Sequence, residues 1–212
     1  MTIGASYTSP VRFNFTNGQA ALNFSAFGLG NVNYDARVSG IKWPQQVDVS
    51  MAVRPTEQLL VALTTSWINW ASINTVEITA TNPDNSLAPS KVNLKVPFNW
   101  KDQVVLGLGL SYTVLQEHSW KQRDRLVLRI GYNYSNNPVP NETLSPLAPL
   151  ILEHHFTGGF GFRFTEKWAF DLGAVYGLKN SVTYTNTSLP FGPNATESVS
   201  AYYIYNTLSY RF

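Results

Sequence analysis

Val104-Val105-Leu106-Gly107-Leu108-Gly109-Leu110-Ser111-Tyr112-Thr113-Val114 is the stretch that decides the fold. One parity reads Val104, Leu106, Leu108, Leu110, Tyr112, Val114; the other reads Val105, Gly107, Gly109, Ser111, Thr113. Strict period-two alternation over such a length predicts a long strand with one greasy face and one small or polar face. The pattern returns downstream. Leu126, Leu128, Ile130, Tyr132 and Tyr134 oppose Val127, Arg129, Gly131 and Asn133. Phe156, Phe160, Phe162 and Phe164 oppose Thr157, Gly159, Gly161 and Arg163. Trp168, Phe170, Leu172, Ala174, Tyr176 and Leu178 oppose Ala169, Asp171, Gly173 and Val175.

Runs of this kind predict eight antiparallel strands, centred near Tyr7, Val49, Leu63, Leu108, Ile130, Phe160, Leu172 and Tyr205. Their lengths suit tilted strands crossing a bilayer, which take about 9–11 residues. The expected connections alternate in length. Short ones fall at Arg54–Glu57, Gln116–Asp124 and Thr165–Lys167; long ones run over about Asn17–Gly40, Ser72–Trp100, Ser135–Glu153 and Asn180–Ser198. Short turns on one rim and long loops on the other are the plan of an outer-membrane barrel. A soluble sandwich or lipocalin-like barrel would hide the greasy parity inside. Against that stand aromatics gathered towards strand ends (Trp67, Trp70, Tyr112, Tyr132, Tyr134, Trp168, Tyr176) and a second face with few charges. The fold expected is an all-β antiparallel transmembrane barrel occupying residues 1–212 as one domain.

Composition agrees. Charged residues are 13% of the 212, about half of what a soluble domain carries, and the deficit is taken up by 19 Asn, 18 Ser and 18 Thr. No apolar run approaches the roughly 20 residues of a membrane helix. The absence of cysteine excludes disulfide scaffolds and cysteine metal clusters. A net charge of +2 without a basic run gives no case for nucleic acid. The last strand ends Tyr202, Ile204, Leu208, Tyr210, Phe212 on one parity, broken by Asn206. A terminal Phe closing such a pattern resembles the signal read by the outer-membrane assembly machinery, with Tyr210 and Phe212 as its key positions. It implies a native C-terminus, whereas Met1-Thr2-Ile3-Gly4 leads straight into a strand pattern, as expected where a signal has been removed or where the chain begins partway through a longer protein.

Several landmarks in order resemble the FadL/TodX family of outer-membrane transporters of hydrophobic compounds. Asn99-Trp100-Lys101-Asp102 opens the Leu106-Gly107-Leu108-Gly109 strand as the family's aromatic-Lys-Asp element does. Leu128-Arg129-Ile130-Gly131-Tyr132-Asn133-Tyr134 leads to Asn137-Pro138-Val139-Pro140, similar to the family's Arg-x-Gly strand and Ser-Pro-Val-Pro loop. Trp67 and Trp70 resemble its Ser-Trp strand end, and Trp43-Pro44 its Pro-bearing strand entry. Asn136 and Asn137 depart from the family's acidic residue and Ser, and Ala148-Pro149 with Glu153-His154-His155 resembles one branch of it. The resemblance implies a fourteen-stranded barrel plugged by an N-terminal hatch, of which these would be the last eight strands. The chain is then the latter part of a longer protein or a short relative.

Nothing in the sequence argues for an enzyme, a cofactor or a metal. His154 and His155 are adjacent, so a strand points them to opposite faces and joint ligation is awkward. Glycines at 107/109 and 159/161 imitate phosphate-loop spacing but lie inside strands with no helix after them. No Ser/His trio at the membrane edge suggests a lipase. The informative residues are charges on the non-greasy parity: Arg12, Asp48, Arg129, Arg163 and Asp171. They read as lumen salt bridges tying strands together, or as an Arg that meets a fatty-acid carboxylate. Lys95 lies within one residue of a basic position that the family places near its ligand pocket. Apolar residues in two long loops suggest ligand collection: Phe98 and Trp100 in one, Leu147, Leu150 and Ile151 in the other. Packing of these loops on one another is the rival account.

The function expected is passive outer-membrane transport of hydrophobic molecules, with long-chain fatty acids or aromatic hydrocarbons as the implied ligands. Outer-membrane lipid and the assembly machinery are the other expected partners. The alternative is a closed eight-stranded anchor or adhesin whose lumen is filled by side chains.

Overall fold

A computed structural model describes residues 1–120, 124–145, 151–187 and 194–212. Twelve strands run in chain order: β1 (Thr2–Thr8), β2 (Val11–Asn23), β3 (Asn31–Trp43), β4 (Gln46–Val53), β5 (Leu59–Ile68), β6 (Thr75–Thr81), β7 (Lys91–Pro97), β8 (Gln103–Gln116), β9 (Asp124–Ser135), β10 (His154–Arg163), β11 (Trp168–Thr183) and β12 (Thr196–Tyr210). Eight of them form one sheet in the order β1-β4-β5-β8-β9-β10-β11-β12, every pair antiparallel. These are the eight strands the alternation predicts. The sheet is not closed: β1 and β12 are its two edges.

Four strands were not expected. β2-β3-β6-β7 form a second sheet, with β6 and β7 inside the segment read as the second long loop and β2 and β3 overrunning the first at both ends. Each is half of an extended hairpin. Pairing of β1 with β4 ends at Thr8↔Gln46, and pairing of β2 with β3 begins at Val11↔Trp43 in the same register. That register sets Pro10 against Pro44. Neither proline has an N–H to give, so the ladder breaks there and one long hairpin becomes a stave and a separate ribbon.

Two bulges shape the ribbon. The register steps between Phe13 and Phe15 and again between Phe15 and Gly18, and positive φ angles occur at Gly40 (89°) and Asn17 (65°). The first bulge adds a residue to β3 and the second adds one to β2, so alignment is restored beyond them. Gly40 is required twice over: its φ is left-handed, and a Cβ would strike the carbonyl oxygen of Thr75, where β3 meets β6.

The burial pattern is inverted relative to a soluble domain. The fully buried large side chains, Tyr34, Tyr184, Leu144, Ile151, Val32 and Pro44, all lie outside the eight-stranded sheet or at its rim. One cluster (Val32, Tyr34, Ala80, Ala88) packs the tip of the second sheet; another (Val139, Leu144, Ile151, Tyr184) packs the loops beside β9 and β11. The main sheet instead shows Ile130 (62% exposed), Ile204 (70%) and Leu208 (63%) outward. An apolar face this large is stable against lipid and would be costly against water. Aromatics border it: Trp168 packs on Tyr210 and Tyr210 on Phe212 at one rim, while Tyr132, Tyr134 and His154 stack at the other.

Candidate functional site

The inner face of the main sheet carries mostly small side chains in its middle strands. Cross-strand rows read Ala62↔Gly109↔Gly131↔Thr157 and Ser111↔Arg129↔Gly159↔Gly173. Small residues at these positions leave a groove of about 750 Å³ along the concave side, walled also by Thr64, Ser66, Asn133, Tyr205 and Thr207. Gly159 is fixed by closeness to the neighbouring strand, since a Cβ would strike the Leu172 carbonyl oxygen.

Two charges line this groove, Arg129 on β9 and Asp171 on β11. They form an ion pair, with Arg129 Nη1 donating to Asp171 Oδ1 at 3.0 Å. Strand β10 lies between them. Gly159 is the partner of Arg129 and Gly161 the partner of Asp171, so the pair arches over two residues that carry no side chain.

The other inward charges do not join one network. Asp48 on β4 accepts from Ser6 Oγ (3.0 Å) and Gln46 Nε2 (2.7 Å), with no cation within 4 Å among the described residues. Arg163 faces a smaller groove of about 320 Å³ that it shares with Asp124, Arg129 and Asp171; its buried Nε has no partner among the described residues. Arg12 is a correction. It sits on β2 in the second sheet opposite Lys42, because the Pro10–Pro44 break ends the main sheet at Thr8.

The residues read as ligand-collecting loops also separate. Lys95, 71% exposed, stands on β7 opposite Glu77 with their charged atoms 3.8 Å apart, and it does not line the groove. Ile151 is fully buried in the loop cluster, so it packs the protein interior and is not offered to a ligand. Leu147 and Leu150 lie outside the described residues. Phe98 and Trp100 belong to an aromatic chain: Trp43–Trp70 at 5.9 Å, Trp70–Trp100 at 5.2 Å and Trp100–Phe98 at 5.3 Å between ring centroids. His154 and His155 point to opposite faces: His154 Nδ1 shares a hydrogen bond with Tyr132 Oη at 2.7 Å in the aromatic rim, while His155 lies beside Gly177.

The family model described as "Outer membrane protein transport protein (OMPP1/FadL/TodX)" matches residues 1–212. The chain belongs to this family. It is an outer-membrane β-barrel protein. The toluene transporter TodX of Pseudomonas putida shares the fold at a TM-score of 0.65 and 19% identity, over 99% of this chain and 45% of that one. A FadL homologue of Pseudomonas aeruginosa gives 0.69 at 15% identity, over 98% and 48%. The toluene transporter TbuX of Ralstonia pickettii gives 0.59 at 19%, over 99% and 44%. The chain therefore spans about half the length of these structures. No curated protein matches it.

The family landmarks now have physical roles. Asp102, closing the Asn99-Trp100-Lys101-Asp102 element, accepts from Trp67 Nε1 (3.1 Å), Asn69 Nδ2 (2.9 Å) and the Ala71 backbone N–H (3.1 Å). It pins the joint where β5 leaves the main sheet for β6. Trp70 Nε1 donates to Gln103 Oε1, and Asn136 Nδ2 donates to the Asp102 carbonyl, tying β9 to the same rim. Sequence reading missed Asp102 as a hub; the signal available was an acid directly beside the strand end that carries Trp67 and Trp70.

Proposed function

We propose that this chain supplies part of the wall of an outer-membrane channel through which hydrophobic molecules pass passively, with long-chain fatty acids or aromatic hydrocarbons as the substrates. The observation that carries the reading is the groove of about 750 Å³ on the concave face of a sheet whose convex face is apolar and bordered by aromatics. Its glycine, alanine, serine and threonine positions leave room for a ligand beside Asn133, Tyr205 and the Arg129–Asp171 pair. Molecules would move down their gradient, drawn in by removal of apolar surface from water. Outer-membrane lipid meets the convex face, and the terminal Tyr210 and Phe212 suit recognition by the barrel assembly machinery.

Family membership and the likeness of the fold to toluene transporters and a monoaromatic hydrocarbon channel support this reading. The filled eight-stranded anchor is disfavoured by the unpaired β1 and β12 edges and by the groove that small residues leave on the inner face. The test is flux. Protein reconstituted in vesicles, with the heat-shifted migration of a folded barrel as control, should accelerate entry of a labelled hydrophobic ligand. Vesicles with folded protein that match empty ones would refute transport.

A further inference from the structure

We infer that Gly161 is a specificity-determining residue: the space it leaves over β10 lets Asp171 hold the Arg129 guanidinium, so this groove accepts uncharged hydrophobic ligands and disfavours carboxylates. The inference rests on the transport reading and names the substrate class of the same groove.

Arg129 and Asp171 stand two strands apart, which is about 9–10 Å across a sheet. Their contact at 3.0 Å has to pass over the middle strand. A Cβ built on Gly161 would lie 2.5 Å from Asp171 Oδ1 and 3.1 Å from Arg129 Nη1, so a side chain there makes this half-exposed pair shift from its present contact. Among the described residues no cation or anion other than these two lines the groove. An Arg without an acid partner is a strong anchor for a carboxylate, which it can grip through two N–H groups. Here the acid is already in place. An incoming carboxylate meets Asp171 at the same cation, whereas a neutral ring or chain meets a pair with no net charge. Nearby charges do not restore an anion site. Arg163 shares its own smaller groove with Arg129, Asp124 and Asp171, two cations against two anions, and Lys95 is set against Glu77 in the second sheet.

Toluene and benzoate, two rings that differ in charge at one carbon, test this on the purified protein at neutral pH by ligand-observed NMR. The native protein should bind toluene about tenfold or more tightly than benzoate. Asp171→Asn, and separately Gly161→Ala, should raise the ratio of benzoate to toluene affinity about fivefold or more. Adding Arg129→Gln to Asp171→Asn should abolish the gain. A pair that acts only as a strut would shift stability and leave the benzoate-to-toluene ratio where it was. Toluene binding with an unchanged ratio in folded Asp171→Asn protein overturns the inference alone. Binding of neither ring to any variant overturns the transport reading and the inference with it.

Discussion

Asp102 offers the sharpest test of how the two sheets are joined. Its carboxylate receives three hydrogen bonds at 2.9–3.1 Å, from Trp67, Asn69 and the Ala71 amide. Bonds to an ionised acceptor contribute about 1.5–3 kcal/mol each when the group stays shielded. Two of the donors are side chains that can turn to water once released, so their loss is worth the lower end of that range or less. The Ala71 amide cannot turn away without moving the backbone. Asp102→Ala should therefore cost about 2–4 kcal/mol in this region, centred on the turn at Trp70–Ser72. If the amide bond alone accounts for about 2 kcal/mol, hydrogen exchange at Ala71 should quicken about 30-fold. Amides in the middle of β8 and β9 should exchange as before, because their ladder does not pass through Asp102. Asp102→Asn keeps one acceptor oxygen and should fall between. Site-resolved exchange in detergent micelles reads all of this. An Ala71 rate within about twofold of the native value in Asp102→Ala would refute the clamp.

Other perturbations probe the two faces and the ends. Leu108 on the convex face, between Leu63 and Tyr132, should cost about 2–4 kcal/mol when replaced by Arg, whereas its neighbour Gly109, with nothing within 4 Å of an added Cβ, should accept Ala within about 0.5 kcal/mol; denaturant unfolding in lipid vesicles compares them. Gly40→Ala forces a Cβ into the Thr75 carbonyl at a φ of 89° and should cost about 2–4 kcal/mol, read as lost exchange protection where β3 pairs with β6. Phe212→Ala should slow assembly in cells and leave refolding in detergent unchanged, both scored by heat-shifted migration; equal slowing in both settings would assign Phe212 to folding itself.

The eight main strands were legible because lipid imposes one rule along their whole length. The outward parity must stay apolar from rim to rim, and in β8 it does so from Val104 to Val114. The second sheet obeys no such rule, and its bulges scramble the period. On β2 the apolar residues are odd-numbered through Val11, Phe13 and Phe15, then even-numbered through Gly18, Ala20 and Leu22, because the bulge at Asn17 shifts the parity. β3 shifts likewise across Gly40. A fixed period sees two fragments where the chain makes one strand. Arg12 was misplaced for a related reason. Its parity is that of an inward residue, but Pro10 and Pro44 had already ended the stave, and only the pairing of the two prolines shows it. Alternation did place Arg129 and Asp171 inward. What it could not show is that Gly161, read only as a glycine inside a strand, lies beneath the point where they meet.

The inner face also bears on how many strands complete the wall. Hydrocarbon tolerates no open sheet edge, because unpaired backbone groups cannot be hydrated there. In the membrane β1 and β12 must therefore be paired, with one another or with further strands. Were they paired with one another, eight strands would make a barrel just wide enough for side chains to fill. Filling it needs bulky inward residues, and the inward positions on β8 to β11 include Gly107, Gly109, Gly131, Gly159, Gly161 and Gly173. The space they leave, about 750 Å³, is some twenty-five times the roughly 30 Å³ that one water molecule occupies in the liquid. Small barrels whose role is anchorage fill that volume with their own side chains. A wall with so many glycines is suited to a wider ring with something passing along it, and Gly161 sits where the Arg129–Asp171 pair crosses that wall.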